Sequence, residues 1–117
     1  MEGKPGNLAH SVQDRLKNLA RNEGRVYQEL LIRHGLERFL YRLSRTSQRD
    51  NFVLKGALLL QVWTGLEARP TRDIDLLGPL GLEPEQLKRL VADCAQSEVE
   101  PDGWVFGYHA ITVQPIR

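Results

Sequence analysis

Residues 51–78 constrain this chain more than any other part of it. A short apolar stretch, Phe52-Val-Leu54, leads through Lys55 into Gly56, and a segment of helical character, Ala57-Leu-Leu-Leu-Gln-Val-Trp63, separates it from Arg69-Pro-Thr-Arg-Asp-Ile-Asp-Leu76. Side chains alternate across a strand, so Asp73 and Asp75 are expected to share one face while Ile74 and Leu76 turn to the core. Two carboxylates that close resist joint ionisation unless a cation lies between them. Mg2+ (or Mn2+) suits that place, because it takes one or two carboxylates from the protein and completes its shell with water and substrate phosphate oxygens. The pattern is that of a metal-dependent phosphoryl-transfer site.

Gly56 stands where strand gives way to helix. Without a side chain the backbone can approach a ligand closely, and the free amides of a helix's first turn favour an anion. Phosphate is therefore expected on the backbone of Gly56 and Ala57, with metal held opposite by Asp73 and Asp75. Lys55, Arg69 and Arg72 would add charge-assisted contacts. Gly65 is a natural stop for the intervening helix, and Thr71 is read as fixing the turn before the acidic strand.

At these residues the chain resembles the AbiEii/AbiGii-type nucleotidyl transferase toxin family of type IV toxin-antitoxin systems, within the DNA polymerase beta-like nucleotidyltransferase superfold. Lys55-Gly56, the following helix and residues 69–76 carry the resemblance, which extends more weakly to the helical segment before and the Trp104 region after. It implies a nucleotidyltransferase with Asp73 and Asp75 catalytic, an NTP as donor, a nucleic-acid hydroxyl (tRNA in particular) as acceptor, and a cognate antitoxin as partner. In that superfold a Gly-Gly or Gly-Ser pair precedes the acid pair, and a third carboxylate arrives on a later strand. Gly56-Ala57 lacks the hydroxyl of such a pair, which backbone amides can replace. The acids after Asp75 are Glu83, Glu85, Asp93, Glu98, Glu100 and Asp102, none in a convincing strand, so the third carboxylate is expected to be missing; robust transfer by the chain alone would require one of these acids, such as Asp102, to complete the site.

Because the family's full-length relatives continue further, residues 1–117 are expected to form one partial nucleotidyltransferase domain, with 1–50 as a helical front and 51–117 as the strand-helix-strand motif region. On that basis little transfer is expected from the chain alone. The alternative reading is a truncated, non-catalytic remnant that binds protein or nucleic acid through its basic N-terminal helices.

At 117 residues, 41% hydrophobic and 26% charged, the chain is sized for a single modest core. Its one cysteine excludes an intrachain disulfide, and no Cys/His spacing suggests zinc. No apolar run reaches membrane-spanning length and the start has no signal-peptide core, so a cytoplasmic protein without membrane contact is expected. The net charge of +1 is unevenly divided: residues 1–49 hold ten Lys/Arg against five Asp/Glu, and residues 50–117 hold six against ten. A basic front would suit a polyanion. Arg33, Arg38, Arg42, Arg45 and Arg49, however, fall around a helix rather than along one stripe and read as a solvated face.

Helical spacing predicts a first helix from an N-cap at Asn7 to near Gly24, with Leu8, Val12, Leu16 and Leu19 inward. A second covers about residues 25–46, with Leu36, Phe39, Leu40 and Leu43 buried and His34-Gly35 loosening it midway. His10 and His34 have no partner pattern. Glu83-Pro-Glu-Gln opens a third helix with Leu87, Leu90, Val91 and Cys94 inward, and Trp104-Val-Phe106 and Ile111-Thr-Val113 are strand candidates. Together these give an α+β fold, a small mixed sheet with the N-terminal helices packed on it, nucleotidyltransferase-like by resemblance.

Overall fold

The computed structural model describes residues 5–55, 75–78 and 81–114. Helix α1 (Pro5–Glu23) starts at the proline rather than after Asn7. Proline's fixed φ and missing N–H suit a helix's first position, where an N–H would have no partner in any case. The helix closes with Arg25 N–H returning to the Ala20 carbonyl at 2.9 Å, which satisfies a last-turn acceptor. Its inner row is Leu8, Val12, Leu16 and Ala20, whereas Leu19 is 37% exposed. Successive steps of four, not a last step of three, keep the row on the seam with the next helix.

Helix α2 (Tyr27–Ser44) packs on α1 and on α3 (Pro84–Ala95). It runs unbroken through Gly35, contrary to the expected loosening. Gly35 is buried, and a Cβ there would lie 2.8 Å from two carbons of the Trp104 indole. The glycine is a notch for that ring. Of the expected stripe Leu43 is fully buried, while Leu36, Phe39 and Leu40 are half-buried. Helix α3 follows the expectation closely. Gln86 Oε1 accepts the Glu83 N–H at 2.9 Å in a capping box, Leu87, Leu90 and Val91 are half-buried, and Cys94 is 1% exposed. Burial pushes the Cys94 thiol up, in keeping with a small core residue.

Strands β1 (Val53–Lys55) and β2 (Asp75–Leu77) pair antiparallel. The sheet among the described residues is thus two-stranded and antiparallel rather than mixed. The larger helix contacts run from α1 to α2, from α2 to α3, and from α3 to a 3-10 turn at Tyr108–Ala110, rather than onto the sheet. Residues 104–106 and 111–113 form no strand. At Trp104 the reason is visible: its N–H donates to Asp102 Oδ1 at 3.0 Å and its carbonyl accepts Arg42 Nη2 at 3.2 Å. Side chains satisfy the backbone groups that a ladder would otherwise have paired.

Asp102 also receives Arg38 Nε at 2.6 Å and Arg42 Nη1 and Nη2 at 2.8 and 3.1 Å. Arg42 is 5% exposed, which overturns the solvated-face reading for that residue; Arg33 and Arg38 are half-buried, and Arg45 and Arg49 are exposed. Around this clasp Trp104 stacks on Phe106 at 6.0 Å, Phe106 meets Phe39 edge-on at 5.5 Å, and the Arg42 guanidinium lies 4.8 Å from the Phe106 ring centre. Gly103, at φ +83°, turns the loop against α1, where a Cβ would come within 3.1 Å of Ala9 Cα. Burial raises the Asp102 carboxyl, but the hydrogen bonds from Arg42, Arg38 and the Trp104 N–H outweigh it and hold it at about 2. No described helix is long and apolar enough to cross a membrane.

Alanine at position 35 gains helix propensity worth about 0.5–1 kcal/mol. It also forces a methyl group against a ring held by its stack on Phe106 and its bond to His34, which costs about 1–3 kcal/mol. Gly35→Ala is therefore expected to lower the melting temperature, and a rise in thermal denaturation would show that the ring moves freely. Asp102→Asn leaves Arg42 buried without its counter-charge and is expected to cost about 3–5 kcal/mol in urea denaturation. Because the folded Asp102 carboxyl titrates below its ordinary 3.8, its contribution is full above that value and is lost as pH falls toward about 2. The wild type should lose stability over that window more steeply than Asp102→Asn; parallel profiles would contradict the clasp.

Candidate active site

The register of the strand pair sets Val53 opposite Leu77, Leu54 opposite Leu76 and Lys55 opposite Asp75. Cross-strand partners have Cα atoms about 4.5–5.5 Å apart. The last residue of the strand that leads into Gly56 thus stands beside the first described residue of the acidic strand. Leu54 and Leu76 are half-buried and make the inner face, as expected for Leu76, while Val53 and Leu77 are each 61% exposed and Lys55 is exposed. Such β-branched and aliphatic residues suit a pleated surface covered on one side.

Of the residues singled out in the sequence, the structure brings together Lys55 and Asp75. Gly56, Ala57, Arg69, Arg72 and Asp73 lie outside the described residues, as does the helix expected over 57–63.

Among the described residues, no three or more His, Cys, Asp or Glu side chains gather in a group that could hold a metal. Asp102 does not supply a third carboxylate, because its two oxygens already accept N–H groups from Arg38, Arg42 and Trp104. Glu100 is engaged in part as well, accepting the Tyr41 hydroxyl at 2.8 Å. These two acids anchor their segment to α2. A signal for that role was present in the sequence, Arg38 and Arg42 one helical turn apart with Asp-Gly-Trp downstream, but spacing alone does not say which acid two arginines will meet.

The clasp also changes the electrostatics of the basic front. Arg38 and Arg42 are committed to Asp102, and Arg33 pairs with Glu37 at 2.8 Å. Fewer cations on α2 are open to a polyanion than the sequence count suggested. Arg49 contacts Asp50 only at 3.8 Å, with both side chains largely exposed, so that pair contributes little. At the strand pair itself the exposed cation is Lys55.

Residues 38–115 match the family model described as Nucleotidyl transferase AbiEii toxin, Type IV TA system. The matched span opens at Arg38 and includes both strands and the whole Asp102 clasp. No curated protein and no solved structure matches the chain.

Directly opposed strand positions fall within the Cα separation of about 4.4–6.8 Å that a disulfide spans. Oxidised Val53→Cys/Leu77→Cys is expected to form an intrachain crosslink, read as the loss of two titratable thiols. Val53→Cys/Leu76→Cys, with its cysteines on opposite faces, should form none. Equal crosslinking of the two variants would refute the register.

Proposed function

The chain belongs to the AbiEii nucleotidyl transferase toxin family, and we propose that it transfers a nucleotide from an NTP to a nucleic-acid hydroxyl, with tRNA as acceptor and Asp73 and Asp75 as ligands for Mg2+ or Mn2+. The register carries this reading: within the matched span, the lysine that precedes Gly56 in sequence stands opposite an acid of the Asp-Ile-Asp pair. A cation and an acid one strand spacing apart flank a place suited to an anion that arrives with its own metal, as a triphosphate does.

The donor set fits the metal. Two hard carboxylate ligands separated by one residue suit Mg2+, which leaves its other positions to water and phosphate oxygens. Asp73 and Asp75 would hold such an ion, which would supply Lewis-acid chemistry toward the triphosphate and the attacking hydroxyl. The chain's own share is binding and orientation. Backbone amides at Gly56 and Ala57 would take phosphate oxygens. Lys55, Arg69 and Arg72 would offset the charge that grows on the departing pyrophosphate. Lys55 stands on a paired strand, a position suited to holding a side chain in place. The type IV toxin-antitoxin description points to a cognate antitoxin as partner.

A ligand at about 100 times its Kd stabilises a protein by about 2.7 kcal/mol, or about 10 °C in melting temperature for a domain of this size. NTP with Mg2+ is expected to produce such a shift in the wild type and none in Asp73→Asn/Asp75→Asn, while Lys55→Met keeps the response to metal alone and loses part of the response to NTP. Labelled NTP incorporated into total tRNA, and abolished by Asp75→Ala, reads the transfer itself. Equal thermal responses in wild type and double variant would overturn the carboxylate pair.

A further inference from the structure

We propose that His34 and Trp104 form an acid-sensitive latch that seats the Trp104 indole against α2. The Trp104 indole Nε1–H donates to His34 Nδ1 at 2.7 Å. An indole N–H can only donate, so the ring nitrogen facing it must carry no proton. A protonated imidazole would place a second N–H there, leaving two donors in contact with no acceptor between them. Protonation of His34 therefore breaks this bond.

The indole has little room to adjust within its seat. Its edge fills the notch over Gly35, 2.8 Å from where a Cβ would stand, and its face stacks on Phe106. Without the bond to His34 the ring is held there by its apolar contacts alone, over Gly35 and with Phe106. The ring is also one wall of an apolar groove of about 480 Å³, with Leu31, Ile32, Leu36, Phe39 and Phe106 among the others, so the groove's shape depends on where the ring sits.

The charged groups that act on His34 are Glu37 and Arg38 on α2 and Asp102 on the segment packed against it. Glu37 is tied to Arg33, and Asp102 to Arg38 and Arg42, so the two acids that would favour an imidazolium are largely offset. Burial is the strongest influence and holds His34 below its ordinary 6.5. With the folded value depressed, the unfolded chain binds the proton more readily; the contribution of neutral His34 is full above 6.5 and declines as pH falls through the folded value. Asp102 titrates only near 2, so between the two ranges the latch opens while the arginine clasp stays closed.

The test is a titration followed in ¹H–¹⁵N spectra from about pH 8 to about pH 4, with Trp104→Phe used to assign the indole resonance. The Trp104 N–H signal is expected to move upfield and exchange faster with water, with the same midpoint as the His34 ring nitrogens and below 6.5. In His34→Gln, whose side-chain oxygen accepts without titrating, the indole signal should stay fixed. An indole signal that does not move while His34 titrates would overturn the latch. So would a transition that persists in His34→Gln, or a His34 that takes up no proton before the carboxylates do.

Discussion

The clasp of Asp102 by Arg38 and Arg42 is the interaction on which the rest of the described structure depends. Two guanidinium groups and a carboxylate withdrawn from water are stabilising only if nearly every donor and acceptor is used, because desolvation otherwise exceeds the attraction. Here the carboxylate accepts from both arginines and from the Trp104 N–H, and Nη1 and Nη2 of Arg42 also donate to the Arg38 and Trp104 carbonyls. The cluster binds α2 to a segment distant in sequence, and Gly103 carries that segment on to α1. Once the charges are in place, Trp104 and Phe106 have one position to occupy, and they fill it against Gly35 and Phe39.

This arrangement separates the scaffold's electrostatics from those of the site. Arg38 and Arg42 hold the fold together through Asp102, so two of the ten cations of residues 1–49 are committed to the scaffold, while Arg15, Lys17, Arg21, Arg45 and Arg49 stay exposed. At the strand pair Lys55 stands beside the acidic strand. An isolated two-stranded ribbon is marginal in water. The half-buried faces of Leu54 and Leu76, opposite one another, are what the pair offers toward its own register.

Features that depend on neighbours along the chain are legible in the sequence. The third helix announces itself through Glu83-Pro-Glu-Gln, with acids in its first turn, and its stripe of Leu87, Leu90, Val91 and Cys94, both local properties of a helix. The strands around Val53-Leu-Lys55 and Asp75-Leu-Leu77 are likewise foreshadowed by short apolar runs, and Lys55 and Asp75, which stand out by their chemistry, are brought together by the register. The strands expected at Trp104 and Ile111 do not form, because alternation in so short a run cannot reveal that side chains, and not a neighbouring strand, take the backbone's hydrogen bonds at Trp104.

By itself the sequence determined α1, α2, α3 and the two strands, since periodicity, capping and residue type act over a few positions. The part played by Gly56, Ala57, Arg69, Arg72 and Asp73 still rests on the sequence and on the family. Only the tertiary structure decided that Asp102 is an anchor and not a third metal ligand, that Gly35 is a notch and not a hinge, and that His34 has a partner. Each of those roles is set by a group more than fifty positions away. What a buried polar or minimal side chain does depends on which distant atom ends up facing it, and packing alone settles that.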